Sequence, residues 1–405
     1  MTDLTPRIDA NVQREADALL ELSHRIHAHP EILFEEFQAS AWLADALEQR
    51  GFTVERGVGG LPTAFRAVRE GAGPGPTIAL LCEYDALPGL GHACGHNVIA
   101  TMGAGAGFAL APLMDELPGR LVVLGTPAEE GGGGKVLLLE AGAFEGVDAA
   151  LMFHPSHRTM PVRGALAATR LTFTWHGKAA HAATNPHLGI NALEACLLTF
   201  QAINGLRQHF PDEHRVHGII TDGGSAPNVV PERAQAKFLV RHRRLAEVEA
   251  LRDQVVRCAE AGALAVGARL EVEQGITYAE RENNLPMAER FAAYLGAQGI
   301  PLDAPPTVGG VGSSDFGNLS QALPAIHPYV KIAPEGTSNH THAFAAAAAS
   351  DAGIAGMLAA AKALAGTAAD LLLEPVLLAA AKEAFARRPA AGSPGERRAE
   401  PAAPP

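Results

Sequence analysis

Between residues 77 and 155 three short apolar runs alternate with helical segments, and each run ends in side chains that carry chemistry. The runs are TIALLCEYDALP, GRLVVLGTPAEE and VDAALMFHP. Each is short, is bounded by turn residues and reads as a buried strand. The intervening segments, 98–117 and KVLLLEAGAF, carry helical patterns. Strand, helix, strand, helix, strand predicts an α/β fold: a mainly parallel sheet with helices on both faces. In an open sheet of this kind, ligands bind beyond the carboxyl ends of the strands. Glu83, Asp85, Cys94 and His96 follow the first run, Glu129 and Glu130 the second, and His154 the third. A thiolate, imidazoles and carboxylates meeting on one rim have the donor chemistry of a site for zinc or a similar divalent ion.

The rest of the chain divides by texture. Residues 11–51 read as a helix pair, stopped by Pro30 and by Gly51. Near Ala168 the pattern changes. TRLTFTWHG alternates, a helix follows over 188–209, then the strands RVHGIITDG and AQAKFLVRHR, a helix over 245–266 and the strand ARLEVEQG. The order βαββαβ predicts an inserted ferredoxin-like α+β domain with an antiparallel sheet over 168–278. The first texture returns with the helix PMAERFAAYLGAQG, the turn VGGVGSSDF, the strand PAIHPYV and a long Ala-rich helix. The expected catalytic, metal-binding domain is thus discontinuous, 1–167 and 279–387. Residues 388–405, rich in Pro, Ala and charge, read as a disordered tail.

Composition excludes some partners. Basic residues number 32 and acidic residues 44, a net charge of −12, which argues against a nucleic-acid footprint, since that needs a basic face. The opening MTDLTPRIDANVQREADALLELSHRIH is too acidic for a signal peptide. No run approaches the ~20 apolar residues of a membrane span. The expectation is a cytoplasmic protein with neither nucleic acid nor membrane as partner. Four cysteines, Cys82, Cys94, Cys196 and Cys258, make no disulfide framework in 405 residues.

Neighbouring carboxylates past a strand end can point different ways. One of Glu129 and Glu130 can therefore bind metal while the other faces the substrate and moves a proton. The GGGGK that follows permits close backbone approach but lacks the spacing of a phosphate loop. His27 to Pro30 reads as a structured turn, and His92 and His157 as neighbours of the cluster outside the ligand set. One of His340 and His342, in TSNHTHAF, is expected to bind metal.

Taken in order, these blocks resemble the aminoacylase/carboxypeptidase-G-like metallopeptidases, in their amidohydrolase branch of auxin-conjugate and aminobenzoylglutamate hydrolases. They are most similar to the β-alanyl-lysine dipeptidase-like subgroup. IHAHPEILFEE, CEYDALPGLGHACGHN, GTPAEEGGGGK, MFHP, HGKAAHAATNPHLGINALEA, GGSAPNVVPERAQAKFLVR, GSSDFGNLS and NHTHAF carry the resemblance. It implies two divalent ions about 3.5–4 Å apart, zinc before manganese or cobalt. Cys94 would bridge them, with His96, Glu130, His154 and His340 as terminal ligands. Glu129 would be the general base. Glu83 or Asp85 would orient a ligating histidine. The insert would serve as a dimerisation or lid domain. Its His181 would act in trans in a homodimer, and Asn228 would help hold the oxyanion. Two departures stand out, Asn97 where the branch has Asp and LCEYDAL where it commonly has RADMDAL. Arg241 is a candidate for the substrate carboxylate.

The implied reaction is hydrolysis of an amide bond in a small N-acyl amino acid or dipeptide, by a metal-bridging water that gives its proton to Glu129. Rival readings keep the fold but cleave N-carbamoyl or amidine bonds, make Cys94 a nucleophile paired with His96, or leave a catalytically silent metal-binding dimer. The principal reading requires the sulfur of Cys94 to lie within several ångströms of the imidazole of His154.

Overall fold

A computed structural model describes residues 1–304 and 311–388. The chain forms two compact units, Met1–Ala165 with Arg281–Arg388, and Leu166–Glu280. The turn at 308–310 and the tail from residue 389 lie outside the described residues. The strands are β1 (Thr53–Arg56), β2 (Phe65–Glu70), β3 (Thr77–Glu83), β4 (Arg120–Thr126), β5 (Ala149–Leu151), β6 (His154–Ser156), β7 (Ala167–His176), β8 (Arg215–Asp222), β9 (Arg233–His242), β10 (Arg269–Gln274), β11 (Ala325–Ile326) and β12 (Tyr329–Lys331).

The first unit holds a six-stranded sheet in the order β1-β2-β4-β3-β5-β11. The pairs β3–β4, β3–β5 and β5–β11 are parallel, whereas β1–β2 and β2–β4 are antiparallel. The sheet is thus mainly parallel, and its centre is the set of three apolar runs. Every residue of β3 is buried, as befits a strand covered on both faces. The antiparallel edge is hidden in the sequence because TVER is short, polar and mostly exposed, and FRAVRE buries only Phe65 and Ala67.

The helix His96–Leu110 is buried along its whole length, so it shows no amphipathic stripe. Its glycines make that possible. A Cβ on Gly103 would stand 2.4 Å from the Leu81 carbonyl oxygen. Each fully buried Leu or Val around it contributes roughly 1.5–3 kcal/mol.

Several expectations need correction. Three helices, Thr5–Arg14, Ala16–Ala28 and Phe37–Glu48, stand where a pair was expected. The first has few apolar residues to mark it; Ile8, Asn11 and Val12 are its buried positions. PAIHPYV is two strands. Pro328 has no N–H to continue the ladder, so β11 pairs with β5 while β12 pairs with β6. The Ala-rich helix is three helices, His342–Ala348, Asp351–Leu373 and Pro375–Ala386. Ser350 caps the second through its side chain and Pro375 starts the third. The helix Asp351–Leu373 is in fact long and apolar enough to cross a membrane by length and composition. However, 78% of its apolar window is buried inside the protein, which makes it a core helix.

The second unit runs β7, helix Ala192–Arg207, β8, β9, helix Leu245–Val266, β10. Its sheet has the order β10-β7-β9-β8 and is antiparallel throughout. Alternation along β9 sends Ala234, Ala236, Phe238 and Val240 into a core with Leu171, Phe173 and Trp175. The outer strand β8 leaves Ile219 65% and Ile220 41% exposed.

Candidate metal centre

The carboxyl ends of β3, β4 and β5 assemble the site. Glu83 ends β3, Glu129 and Glu130 follow β4, and His154 follows β5. Cys94 and His96 flank Gly95, whose φ is +76°. A Cβ there would lie 2.6 Å from Pro155 Cγ, so only glycine lets this turn close on the strand that carries His154. Gly134 plays the matching part after the carboxylate pair, since a Cβ would meet the Pro127 carbonyl oxygen at 1.8 Å.

Two ligand groups result. Cys94, His96 and His154 present donor atoms within 4.8 Å of one another, and so do Cys94, Glu130 and His340. Cys94 belongs to both. Its sulfur lies 3.5 Å from His154 Nε2 and 3.6 Å from His340 Nε2, and Glu130 Oε1 lies 3.4 Å from His340 Nε2. Two donors of one tetrahedral ion stand about 3.4–3.6 Å apart, given the usual metal–sulfur, metal–nitrogen and metal–oxygen lengths. The separations are those of ligands sharing an ion.

Tautomers agree with this. His96 Nδ1 faces the Asp85 carbonyl oxygen at 2.7 Å and its Oδ1 at 3.1 Å. His154 Nδ1 faces the Pro155 carbonyl oxygen at 2.7 Å. A ring nitrogen against a carbonyl must donate, so in each ring Nε2 is the nitrogen left to ligate a cation, and both lie in the cluster. His96 Nε2 and Glu130 Oε1 are buried, and their nearest polar neighbours, Glu83 Oε1 at 3.1 Å and His340 Nε2 at 3.4 Å, belong to the cluster itself. Lone pairs of this kind fit a divalent cation.

Electrostatics point the same way. Burial disfavours a charged His96, yet Glu83 and Asp85 hold its pKa well above the ordinary value. Hydrogen bonds with Cys94 and Glu130 raise His340 to about 10. Burial, then His96, keeps His154 neutral, as a ligating imidazole must be. Burial and the neighbouring Glu83, Glu130 and Asp315 push Glu129 well above the usual carboxylate range. A bound cation would replace the protons that these shifts attract.

The supporting residues come from far apart. Asp85 accepts from His96 through Oδ1 and from the Glu130 N–H through Oδ2, at 2.9 Å. Of the two residues expected to orient a histidine, Asp85 holds Nδ1, whereas Glu83 Oε1 stands 3.1 Å from Nε2. Glu83, His96 and Glu129 form a third close group. Lys135, fully buried, binds Glu83 Oε2 at 2.5 Å and Asp315 Oδ1 at 2.8 Å. Glu36 accepts from the Ala128 N–H at 2.9 Å and so fixes the turn before Glu129. The Asn339 amide donates to the Cys94 sulfur at 3.6 Å. Sequence reasoning missed Lys135, Asp315, Glu36 and Asn339. The lysine beside the glycines was the one available signal; the others show nothing until the chain folds. Asp85→Asn should weaken metal affinity about 10–100-fold, measured by competition with a chromophoric chelator.

Other histidines separate cleanly. His27 closes a helix and faces the Ala345 carbonyl, and His92 faces the Ile26 carbonyl. Neither these nor His157 and His342 join a ligand group among the described residues. In the second unit, the exposed His181 accepts from the Ala183 and Thr184 N–H groups through Nδ1. Asn228 is its neighbour, because its carbonyl accepts from the Ala182 N–H at 3.0 Å. Arg241 lies half-buried in the same unit.

Known proteins share this sequence and this fold. Residues 79–370 match the family described as peptidase family M20/M25/M40. The chain is 39% identical over 400 residues to the Xaa-Arg dipeptidase of Mus musculus, covering 94% of this chain and 92% of that protein. It is 38% identical over 285 residues to a subunit of the p-aminobenzoyl-glutamate hydrolase of Escherichia coli, covering 65% of this chain and 59% of that protein. The Bacillus subtilis YXEP protein, a dinuclear metal binding peptidase, shares the fold with a TM-score of 0.65 at 23% identity, covering 89% of this chain and 99% of that one.

Proposed function

The chain belongs to peptidase family M20/M25/M40, and from that premise we propose how its residues hydrolyse an amide bond in a dipeptide or N-acyl amino acid. The observation that carries the reading is one sulfur shared by two ligand groups, with a second carboxylate beside them. Cys94, His96 and His154 would hold one divalent ion, and Cys94, Glu130 and His340 would hold a second. When bound, such ions supply Lewis acidity to the carbonyl and a nucleophile at neutral pH. Glu129 takes the proton of the attacking water and delivers it to the leaving amine. Asp85 keeps His96 in the ligating tautomer. The thiolate with imidazoles and carboxylates favours zinc.

The second unit is the lid and dimerisation domain of this reading. Its βαββαβ order and antiparallel sheet support a ferredoxin-like insert. The exposed Ile219 and Ile220 on the outer strand support pairing with a second copy. His181 then acts in the partner's site, and Asn228 helps hold the oxyanion. Four free cysteines support a cytoplasmic setting.

The test is a panel of dipeptides and N-acyl amino acids offered to the metal-loaded protein, read by amine release. Cleavage within the panel that stops with excess chelator is expected. Turnover that survives the chelator would favour the Cys94 nucleophile instead, and bound metal with no cleavage of any amide would favour the silent dimer.

A further inference from the structure

Among the described residues, four that are not glycine hold a positive φ: Leu33 at +25°, Phe34 at +64°, Ala128 at +58° and His340 at +61°. A side chain strains the backbone in that region, and such residues persist only where their surroundings fix them. The four fall in three segments, and the three meet at the metal centre. His340 belongs to a ligand group. Ala128 immediately precedes Glu129. Phe34 packs on the turn that carries Glu129 and Glu130, since a Cβ on Gly132 would stand 2.7 Å from the Phe34 ring and 2.6 Å from Ala128 Cβ.

One buried oxygen joins two of these segments. Glu36 is fully buried, and its Oε1 accepts from the Phe34 N–H at 3.0 Å and from the Ala128 N–H at 2.9 Å. Glu36 stands at the N-cap of the helix Phe37–Glu48, yet its side chain does not cap that helix. Glu31 takes that part, accepting from the Gln38 and Ala39 N–H groups at 2.9 Å. The Glu36 carboxyl is thereby left to the two strained turns. The residues on either side of Glu129 are each held through the N–H by a buried acid, Ala128 by Glu36 and Glu130 by Asp85. The two anchors differ in what else they touch. Asp85 also faces His96, whereas Glu36 belongs to no ligand group among the described residues.

We propose that Glu36 is a positioning residue for the base: its Oε1, shared by the Phe34 and Ala128 N–H groups, keeps Ala128 in the left-handed backbone from which Glu129 enters the site. The inference rests on the reading of Glu129 as the base and adds what sets its position. Without the shared acceptor, Ala128 relaxes toward the ordinary negative φ, and the residue that follows it swings away. Asp85 still holds Glu130 and His96, so the metal ligands stay in place.

The experiment compares the metal-loaded parent with Glu36→Ala, Glu36→Gln and Glu36→Ala combined with Ala128→Gly. For each, kcat, KM, metal per chain and melting temperature are read on the best substrate of the panel. Glu36→Ala should lower kcat about 10–100-fold, with KM and metal content held. Glu36→Gln keeps an acceptor oxygen at the same reach and should restore most of the rate. Glycine adopts a positive φ without strain, so Ala128→Gly should recover part of what Glu36→Ala loses. In a Glu129→Gln background, Glu36→Ala should add almost nothing, because the group it acts through is already gone. Should Glu36→Ala fail to fold, Glu36→Asp, whose oxygen is set back by one methylene, carries the same comparison. Unchanged kcat, a loss of metal in step with the rate, or an equal loss in the Glu129→Gln background overturns the assignment. A crystal structure of the variant gives a readout apart from turnover: Ala128 should leave the left-handed region, and Ala128 still near +58° overturns the proposal. If Glu129→Gln keeps near-native turnover while Ala128 moves in the Glu36 variant, the reading of the base fails and Glu36 stands as the residue that holds the turn.

Discussion

Glu129→Gln lowers kcat by at least about 10²–10⁴-fold while leaving two ions bound per chain. That range is what a positioned proton-transfer group contributes. The substitution keeps the shape of the side chain and removes its capacity to take a proton. Glu129 stands outside both groups built on Cys94, so neither loses a donor. Its buried carboxyl, surrounded by Glu83, Glu130 and Asp315, has a strongly raised affinity for a proton. A group that must accept and then return one proton suits that setting once cations lie alongside. The measurement is kcat on the best substrate of the panel together with elemental analysis of the same sample. Near-native turnover would remove Glu129 from the role of base.

Cys94→Ala should be the most damaging change to the metal content. One side chain serves both ligand groups, so its loss removes a donor from each ion at once. Changes to residues that merely hold a ligand in place already cost about 10–100-fold in affinity, and loss of a shared ligand should exceed about 100-fold. Stability should change little in the metal-free protein, since Cys94 lies in a turn and its side chain is small. Cys94→Ser, which restores an oxygen donor, should recover part of the binding. Metal per chain after dialysis, with melting temperature beside it, reads the outcome. Full retention of two ions by Cys94→Ala would break the dinuclear reading while leaving the fold untouched.

Much of this centre is legible in the linear chain because donors follow strands. β3, β4 and β5 are buried on both faces and so leave continuous apolar runs. A parallel arrangement obliges their carboxyl ends to share a rim. Cys94, His96, Glu129, Glu130 and His154 are all found by that rule. The choice between His340 and His342 needs backbone geometry. His340 adopts φ +61° and donates its N–H to the Ala93 carbonyl, which turns its ring to Cys94, while His342 begins a helix. The antiparallel edge β1–β2 escapes the pattern because only Phe65 and Ala67 of its two strands are buried, too few to make an apolar run.

The order of residues dictates which strands are buried and which side chains arrive at their ends, since apolar runs must leave water and parallel strands must align their termini. Which of those side chains meet, and what holds them, is settled only when the chain has folded. The Glu130 N–H on Asp85, Lys135 between two carboxylates, and Arg163 and Arg281 around Tyr329 all join segments far apart in the chain. Long-range contacts of this kind depend on packing and on the compensation of buried charge, and neither has a period or a spacing that a linear chain displays.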